Sequence, residues 1–124
     1  MIADGFFEWR HEVKMKEPFY ITLKNDGMMA FAGLWDQWQN QDGEIVESFT
    51  IITCDSNELV SQLHNRMPVI IDQKNYDTWL DPATPPDNAK KLLLPYPPER
   101  MTLWKVGSLV NSPKINAEEC IRKV

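Results

Sequence analysis

Three short stretches carry side chains able to do chemistry. The first is Asp4-Gly5-Phe6-Phe7-Glu8-Trp9. A carboxyl group set among aromatic rings loses solvation. That disfavours its charged form and suits it to donate or accept a proton near neutral pH. Glu8 is therefore a candidate acid/base, and Trp9 a candidate stacking surface. The competing reading is a strand with Glu8 on its wet face, because isolated acids are mostly exposed.

The second stretch is His64-Asn65-Arg66-Met67-Pro68. An imidazole at the C-terminal end of a helix is a ready proton carrier, and the helix dipole favours its cationic form. An arginine two residues on can hold a phosphate. The plainer alternative is a capping histidine and a surface arginine. The third candidate, Cys54, combines on paper with His64 and Glu8 into a Cys-His-Glu hydrolase. Nothing local points to thiolate activation, and buried structural cysteine is far commoner. No glycine-rich phosphate loop is present, and no Cys/His cluster has zinc spacing, so neither a cofactor nor a metal is expected.

The elements that must position these residues can be read from pattern. Pro18 to Lys24 is aromatic and β-branched and reads as a strand. Asn25-Asp26-Gly27 supplies turn chemistry, and Met29 to Trp35 reads as the return strand of a hairpin. Gln41-Asp42-Gly43 turns the chain into Glu44 to Cys54, a long β-branched run expected to lie centrally in a sheet. Asp55 with Glu58 fits a capping box, opening a helix with Leu59, Val60 and Leu63 on one side. The helix should stop near His64, ahead of Pro68. Val69-Ile70-Ile71 reads as a short buried strand, and Asp72 as the N-cap of a helix carrying Tyr76, Trp79 and Leu80. Asp81-Pro82 ends that helix. A short helix around Asn88 to Leu94, a strand from Thr102 to Val106 and a last helical turn from Ala117 to Arg122 complete the order. The expected fold class is α+β, a mainly antiparallel, barrel-like sheet core with short peripheral helices.

Composition sets the outer bounds. The 124 residues suit one domain. The 43% hydrophobic and 25% charged fractions are those of an ordinary soluble globular chain. No run of about 18 apolar residues exists, so no membrane span or membrane partner is expected. The first residues include Asp4 and Glu8 and carry no basic-then-apolar leader pattern. Two cysteines are too few for a disulfide scaffold and point to a reducing cytoplasm. With 13 Lys+Arg against 18 Asp+Glu, the net charge is −5. Such a balance argues against nucleic acid as a partner but leaves room for a local basic groove.

Several motifs in order change that balance of readings. Asp4 to Trp9 matches a DGFYEW segment with one Tyr-to-Phe change, and Phe31 to Asp36 matches FAGLWD. Glu47 to Thr53 matches the strand before the helix, and His64 to Pro68 matches HxRMP. Trp79-Leu80-Asp81 and Val110-Asn111-Ser112-Pro113 also match. The chain, from residue 3 to about residue 121, resembles the SRAP (SOS-response-associated peptidase) family of abasic-site processing proteins.

The resemblance implies binding of single-stranded DNA at abasic sites. It also implies a thiazolidine DNA–protein crosslink made by an N-terminal cysteine, whose α-amine forms a Schiff base with the sugar aldehyde before its thiol closes the ring. Glu8 matches the glutamate that shuttles protons in ring opening and Schiff-base formation. His64 matches a second acid/base that acts on the sugar hydroxyls and in crosslink reversal. Trp9 matches an aromatic stacking near the lesion, and Arg66 a phosphate-binding arginine. The peptidase label corresponds to removal of the methionine preceding that cysteine, and the crosslinking chemistry is of lyase type.

This sequence begins Met1-Ile2 and has no counterpart of the cysteine, of an Asn-Ala-Arg segment or of several DNA-binding arginines. Residues 1–124 are thus expected to form the C-terminal portion of a single SRAP-like domain, without crosslinking activity of their own. An apolar face near Phe6, Phe7 and Trp35 is expected, or a self-association that covers it. The alternatives are a non-catalytic single-stranded DNA-binding module using Trp9 and Arg66, and an inactive fragment.

Overall fold

The computed structural model describes residues 1–11 and 16–124. The strands among them are β1 (Ile2–Ala3), β2 (Phe6–His11), β3 (Lys16–Leu23), β4 (Met29–Ala30), β5 (Gly33–Gln39), β6 (Ile45–Ile51), β7 (Thr53–Asp55), β8 (Arg66–Pro68) and β9 (Met101–Lys105). Two short helices, α1 (Tyr76–Leu80) and α2 (Pro86–Lys90), and several 3-10 turns lie around them. All the strand pairs are antiparallel: β2-β3-β9, β1-β4, β5-β6 and β7-β8. The α+β expectation of antiparallel sheets with short peripheral helices describes this arrangement.

β3 is the spine. Its Phe19, Ile21 and Leu23 are buried, and strands flank both its edges. Pro18, which cannot donate to a ladder, falls near its start, opposite Trp9. The core gathers Ile21, Met29, Val60, Met67, Val69 and Met101, all essentially without solvent contact. Three methionines in that set fill irregular gaps between small sheets that do not stack as regular layers. Gly5 is needed for close approach: a Cβ there would lie 2.4 Å from Tyr20 Cζ and 2.6 Å from the Ile21 carbonyl oxygen.

The hairpin expected at Asn25-Asp26-Gly27 does not form. Asp26 takes the left-handed conformation, with φ 54°, as turn chemistry predicts. The chain then leaves β3, because β2 and β9 already occupy both its edges. Met29–Ala30 pairs instead with β1, Phe31 bridges to Ile70, and β5 pairs with β6. A hairpin forms instead at β5–β6, closed by Asn40 to Glu44 with Gly43 at φ 85°.

Glu44 to Cys54 is likewise not central. Among the described residues β6 pairs with β5 alone, and the ribbon leaves Leu34, Trp35, Trp38, Ile45 and Phe49 exposed. The expected apolar face exists at Trp35, which is 70% exposed. Phe6 and Phe7, by contrast, are half-buried, edge-on to Phe31 and tilted on Tyr20 respectively. The accessible surface is 8949 Å², about 2,100 Å² more than the scaling for a compact monomer of this mass allows.

The capping box at Asp55 and Glu58 is replaced by a different cap. Asn57 is buried, and its Oδ1 accepts from the backbone N–H groups of Leu59 (3.1 Å) and Val60 (3.0 Å). Its Nδ2 donates to the Tyr96 carbonyl at 2.6 Å. Asp55 instead belongs to β7 and pairs with Arg66. The expected helix shrinks to a 3-10 turn, Val60–Gln62, since ladder pairing claims the residues on either side. Asp72 caps the next turn by accepting from Lys74 N–H, and Asp81 ends α1, as the sequence indicated.

Candidate functional site

Glu8 and Trp9 sit on β2, an edge strand of the three-stranded sheet, opposite Phe19 and Pro18. Both are half-buried. The Glu8 carboxylate accepts a hydrogen bond from the Trp9 backbone N–H at 2.9 Å, which holds the side chain near its own strand. Phe7 and Trp9 share a strand face, with ring centroids 6.4 Å apart, and Phe7 leans on Tyr20, which leans on Trp104. This row of rings crosses all three strands and stiffens the ribbon that presents Glu8. The Trp9 indole Nε1–H donates to Asn111 Oδ1 at 2.7 Å, across 102 positions of sequence. Asn111 ends the 3-10 turn Ser108–Asn111, so a distant segment fixes the orientation of the indole.

His64 comes from a separate part of the chain. It follows the 3-10 turn Val60–Gln62, whose Val60 carbonyl accepts its backbone N–H at 3.0 Å. The Arg66 backbone N–H donates to Nδ1 at 3.1 Å. Nδ1 also lies 3.3 Å from the Arg66 carbonyl oxygen, so both local contacts fall on Nδ1 whichever tautomer is present, and Nε2 takes part in neither.

Glu8, Trp9 and His64 line one open cleft of about 550 Å³, together with Lys16, Val110, Asn111 and Pro113. Residues far apart in sequence thus supply two proton-transfer groups, an indole wall and an ammonium to one concavity. Side chains of these types in one concavity can exchange protons with a polar group bound there.

Two sequence candidates lie elsewhere. Arg66 does not line the cleft: its Nη1 donates to Asp55 at 2.7 Å, and its Nη2 to the Thr53 carbonyl (2.7 Å) and hydroxyl (3.1 Å). Cys54 is buried on β7, where burial pushes its thiol up from the ordinary value, so it is no thiolate nucleophile. Lys16 and Asn111 also line the cleft, and neither carries a chemical motif of its own. Lys16 carries no local signal, since only the antiparallel register of β2 and β3 brings it opposite His11 and so beside the cleft. Among the described residues, no group of three or more His, Cys, Asp or Glu could hold a metal ion.

Comparison with known proteins places the chain in a family. A family model described as SOS response associated peptidase (SRAP) matches residues 1–113. The chain belongs to the SRAP family. It is similar to abasic site processing protein YoqW of Bacillus subtilis, with 45% identity over 121 residues covering 96% of this chain and 54% of that protein. It is also similar to abasic site processing protein HMCES of Xenopus tropicalis, with 31% identity over 144 residues covering 100% of this chain and 42% of that one. A crystal structure of a Bacteroides thetaiotaomicron protein superposes with a TM-score of 0.92 at 31% identity, covering 100% of this chain and 55% of the other. This SRAP chain therefore spans about half the length of the relatives it matches. Among the described residues, no helix is long and apolar enough to cross a membrane.

Proposed function

We propose that this SRAP chain recognises the abasic sugar in single-stranded DNA, and that the Glu8–His64 cleft is where it does so. The observation that carries this reading is the convergence of Glu8, Trp9 and His64 on one concavity. The Glu8 carboxyl gives a proton to the ring oxygen as the hemiacetal opens and takes back the one that the anomeric hydroxyl loses; where an amine meets the resulting aldehyde, the same carboxyl protonates the departing water as the Schiff base forms. His64, through Nε2, acts on the sugar hydroxyls and in reversal. Trp9, held at its edge by Asn111, offers a face for the base beside the gap.

The thiazolidine crosslink implied by the SRAP resemblance needs an N-terminal cysteine. Neither Cys54 nor Cys120 has a free α-amine, and both are buried. The crosslink, and any release of a methionine preceding such a cysteine, needs that residue. The 124 residues by themselves bind without crosslinking. Arg66 reaches a phosphate by exchanging Asp55, a partner whose exposed carboxylate holds it weakly. Two free buried thiols accord with a reducing cytoplasm.

The test is a binding titration with single strands, intact or carrying a stable abasic analogue, followed by a denaturing gel with a true abasic strand. Preference for the abasic strand, weakened in Trp9→Ala, with no borohydride-independent covalent band, is expected. Equal affinity for both strands overturns the reading. If Arg66→Ala weakens both strands alike and no abasic preference exists, the chain is a non-catalytic single-strand binder.

We further propose that the isolated chain self-associates through the β5–β6 ribbon. The ribbon leaves Trp35, Trp38 and Phe49 exposed, and these are the aromatic anchors that stable interfaces use. Light scattering across a concentration series should show dimers that Trp35→Lys dissociates. A wild-type chain monomeric throughout rules this out.

A further inference from the structure

Within the site read above, the sign of the charge poses a problem. A sugar in a DNA strand brings its flanking phosphates, and the cleft already holds the Glu8 carboxylate in a chain of net charge −5. An anion entering there needs a cation facing it. The cations around the site are mostly engaged. Arg10 and Lys105 both bond Glu17, Arg66 bonds Asp55, and Arg100 bonds Asp72 while stacking on Tyr96. Lys16 differs. It lines the cleft beside Glu8 and His64, and among the described residues no hydrogen bond or ion pair engages its ammonium. The acid next to it in sequence, Glu17, is held by Arg10 and Lys105 and does not neutralise it.

We infer that Lys16 is the anion-holding residue of the cleft, taking the phosphate that flanks the sugar bound between Glu8 and His64. This rests on the proposed reading of the cleft as a sugar site. It adds a role that the motifs do not assign. An ammonium on a flexible stem suits a phosphate approached as a point charge, with three donors that need no fixed plane. It also offsets the repulsion between phosphate and the Glu8 carboxylate, so that the acid can remain in the cleft for proton transfer. Lys16 opens β3, and its register opposite His11 ties the ammonium to the same ribbon that carries Glu8 and Trp9.

The experiment measures affinity for a single-stranded oligonucleotide carrying a tetrahydrofuran abasic analogue as a function of salt. The proteins are wild type, Lys16→Gln, Lys16→Arg and Lys24→Gln, all checked for an unchanged melting profile. Lys24 lies just past the other end of β3, roughly 25 Å away, and serves as a control for net charge. Lys16→Gln should weaken binding about tenfold at low salt, the lower end for a hydrogen bond to a charged group. It should also flatten the slope of log K against log salt by about 0.7, the release expected for one single-strand phosphate. Lys16→Arg should keep the slope, and Lys24→Gln should change neither quantity.

The inference is overturned if Lys16→Gln keeps the wild-type slope, if Lys24→Gln flattens it equally, or if the wild type binds no strand at low salt. Failure of the sugar reading looks different. There the wild type binds intact and abasic strands alike, while Lys16→Gln still lowers the slope for both.

Discussion

Replacing Asn57 by alanine tests how the fold holds His64 in place. The side chain is buried and makes three hydrogen bonds that bear on the turn leading to His64: two accepted from Leu59 and Val60 N–H, one donated to the Tyr96 carbonyl. Loss of the cap costs about 1 kcal/mol. The Tyr96 carbonyl then loses its donor in a buried site, which adds about 1–3 kcal/mol. The sum, about 2–4 kcal/mol, corresponds to a fall in Tm of roughly 6–20 °C for a domain of this size. Asp55→Ala is the partner variant. It breaks only an exposed ion pair with Arg66, for a cost of about 0–1 kcal/mol. Were Asp55 and Glu58 a capping box, the order would reverse: Asp55→Ala would cost about 1 kcal/mol and Asn57→Ala little. Melts followed by far-UV circular dichroism and by tryptophan fluorescence decide it. An Asp55→Ala variant less stable than Asn57→Ala would refute the assignment of the cap.

Three further outcomes follow from the same structure. Gly5→Ala forces a methyl group against Tyr20 and the Ile21 carbonyl, and the backbone oxygen cannot step aside; a loss of about 1–3 kcal/mol is expected in urea, and an unchanged midpoint contradicts the close approach. Glu17 is held below the usual carboxylate range by hydrogen bonds from Lys105 and Arg10, and Asp72 by its bond from Arg100. Folded values below unfolded ones mean that their stabilisation is present above about pH 4 and is lost as pH falls through the folded values. Tm should therefore drop on acidification below about pH 4, and Glu17→Gln should shallow that drop; an identical acid profile in the variant argues against the pairing. Burial holds the Cys54 thiol protonated, so an aromatic disulfide reagent should modify it slowly in the native protein and fast in denaturant; equal rates in both conditions contradict its placement.

The sequence by itself was enough for the antiparallel α+β class, the caps at Asp72 and Asp81 and the family to which the chain belongs; at Val69 to Ile71 it was right about burial but not about a strand, since the strand is Arg66–Pro68 and Ile70 makes only a bridge to Phe31. Each of these rests on local chemistry: β-branched runs, a carboxylate ahead of a helical turn, or motifs a few residues long. Strand partnership was not legible. Asn25-Asp26-Gly27 has the composition of a hairpin turn, yet both edges of β3 are taken by strands that begin 10 residues upstream and 78 residues downstream of it, at Phe6 and Met101. Local pattern carries no information about which distant strand arrives at an edge. Glu44 to Cys54 read as central because β-branched runs usually are, whereas here the ribbon stands exposed with only β5 beside it.

The candidate site divides in the same way. Motifs pointed to Glu8, Trp9 and His64 as residue types, but their meeting in one cleft depends on β2 pairing with β3 and on the turn that follows Val60. Arg66 looked free to take a phosphate until folding set it against Asp55 and Thr53. Lys16 looked unremarkable until the register of β2 and β3 turned it toward Glu8 and His64. Side-chain chemistry is a property of the residue. Whether a charge is neutralised or left facing a cleft depends on neighbours that only the packed chain brings within a few ångströms.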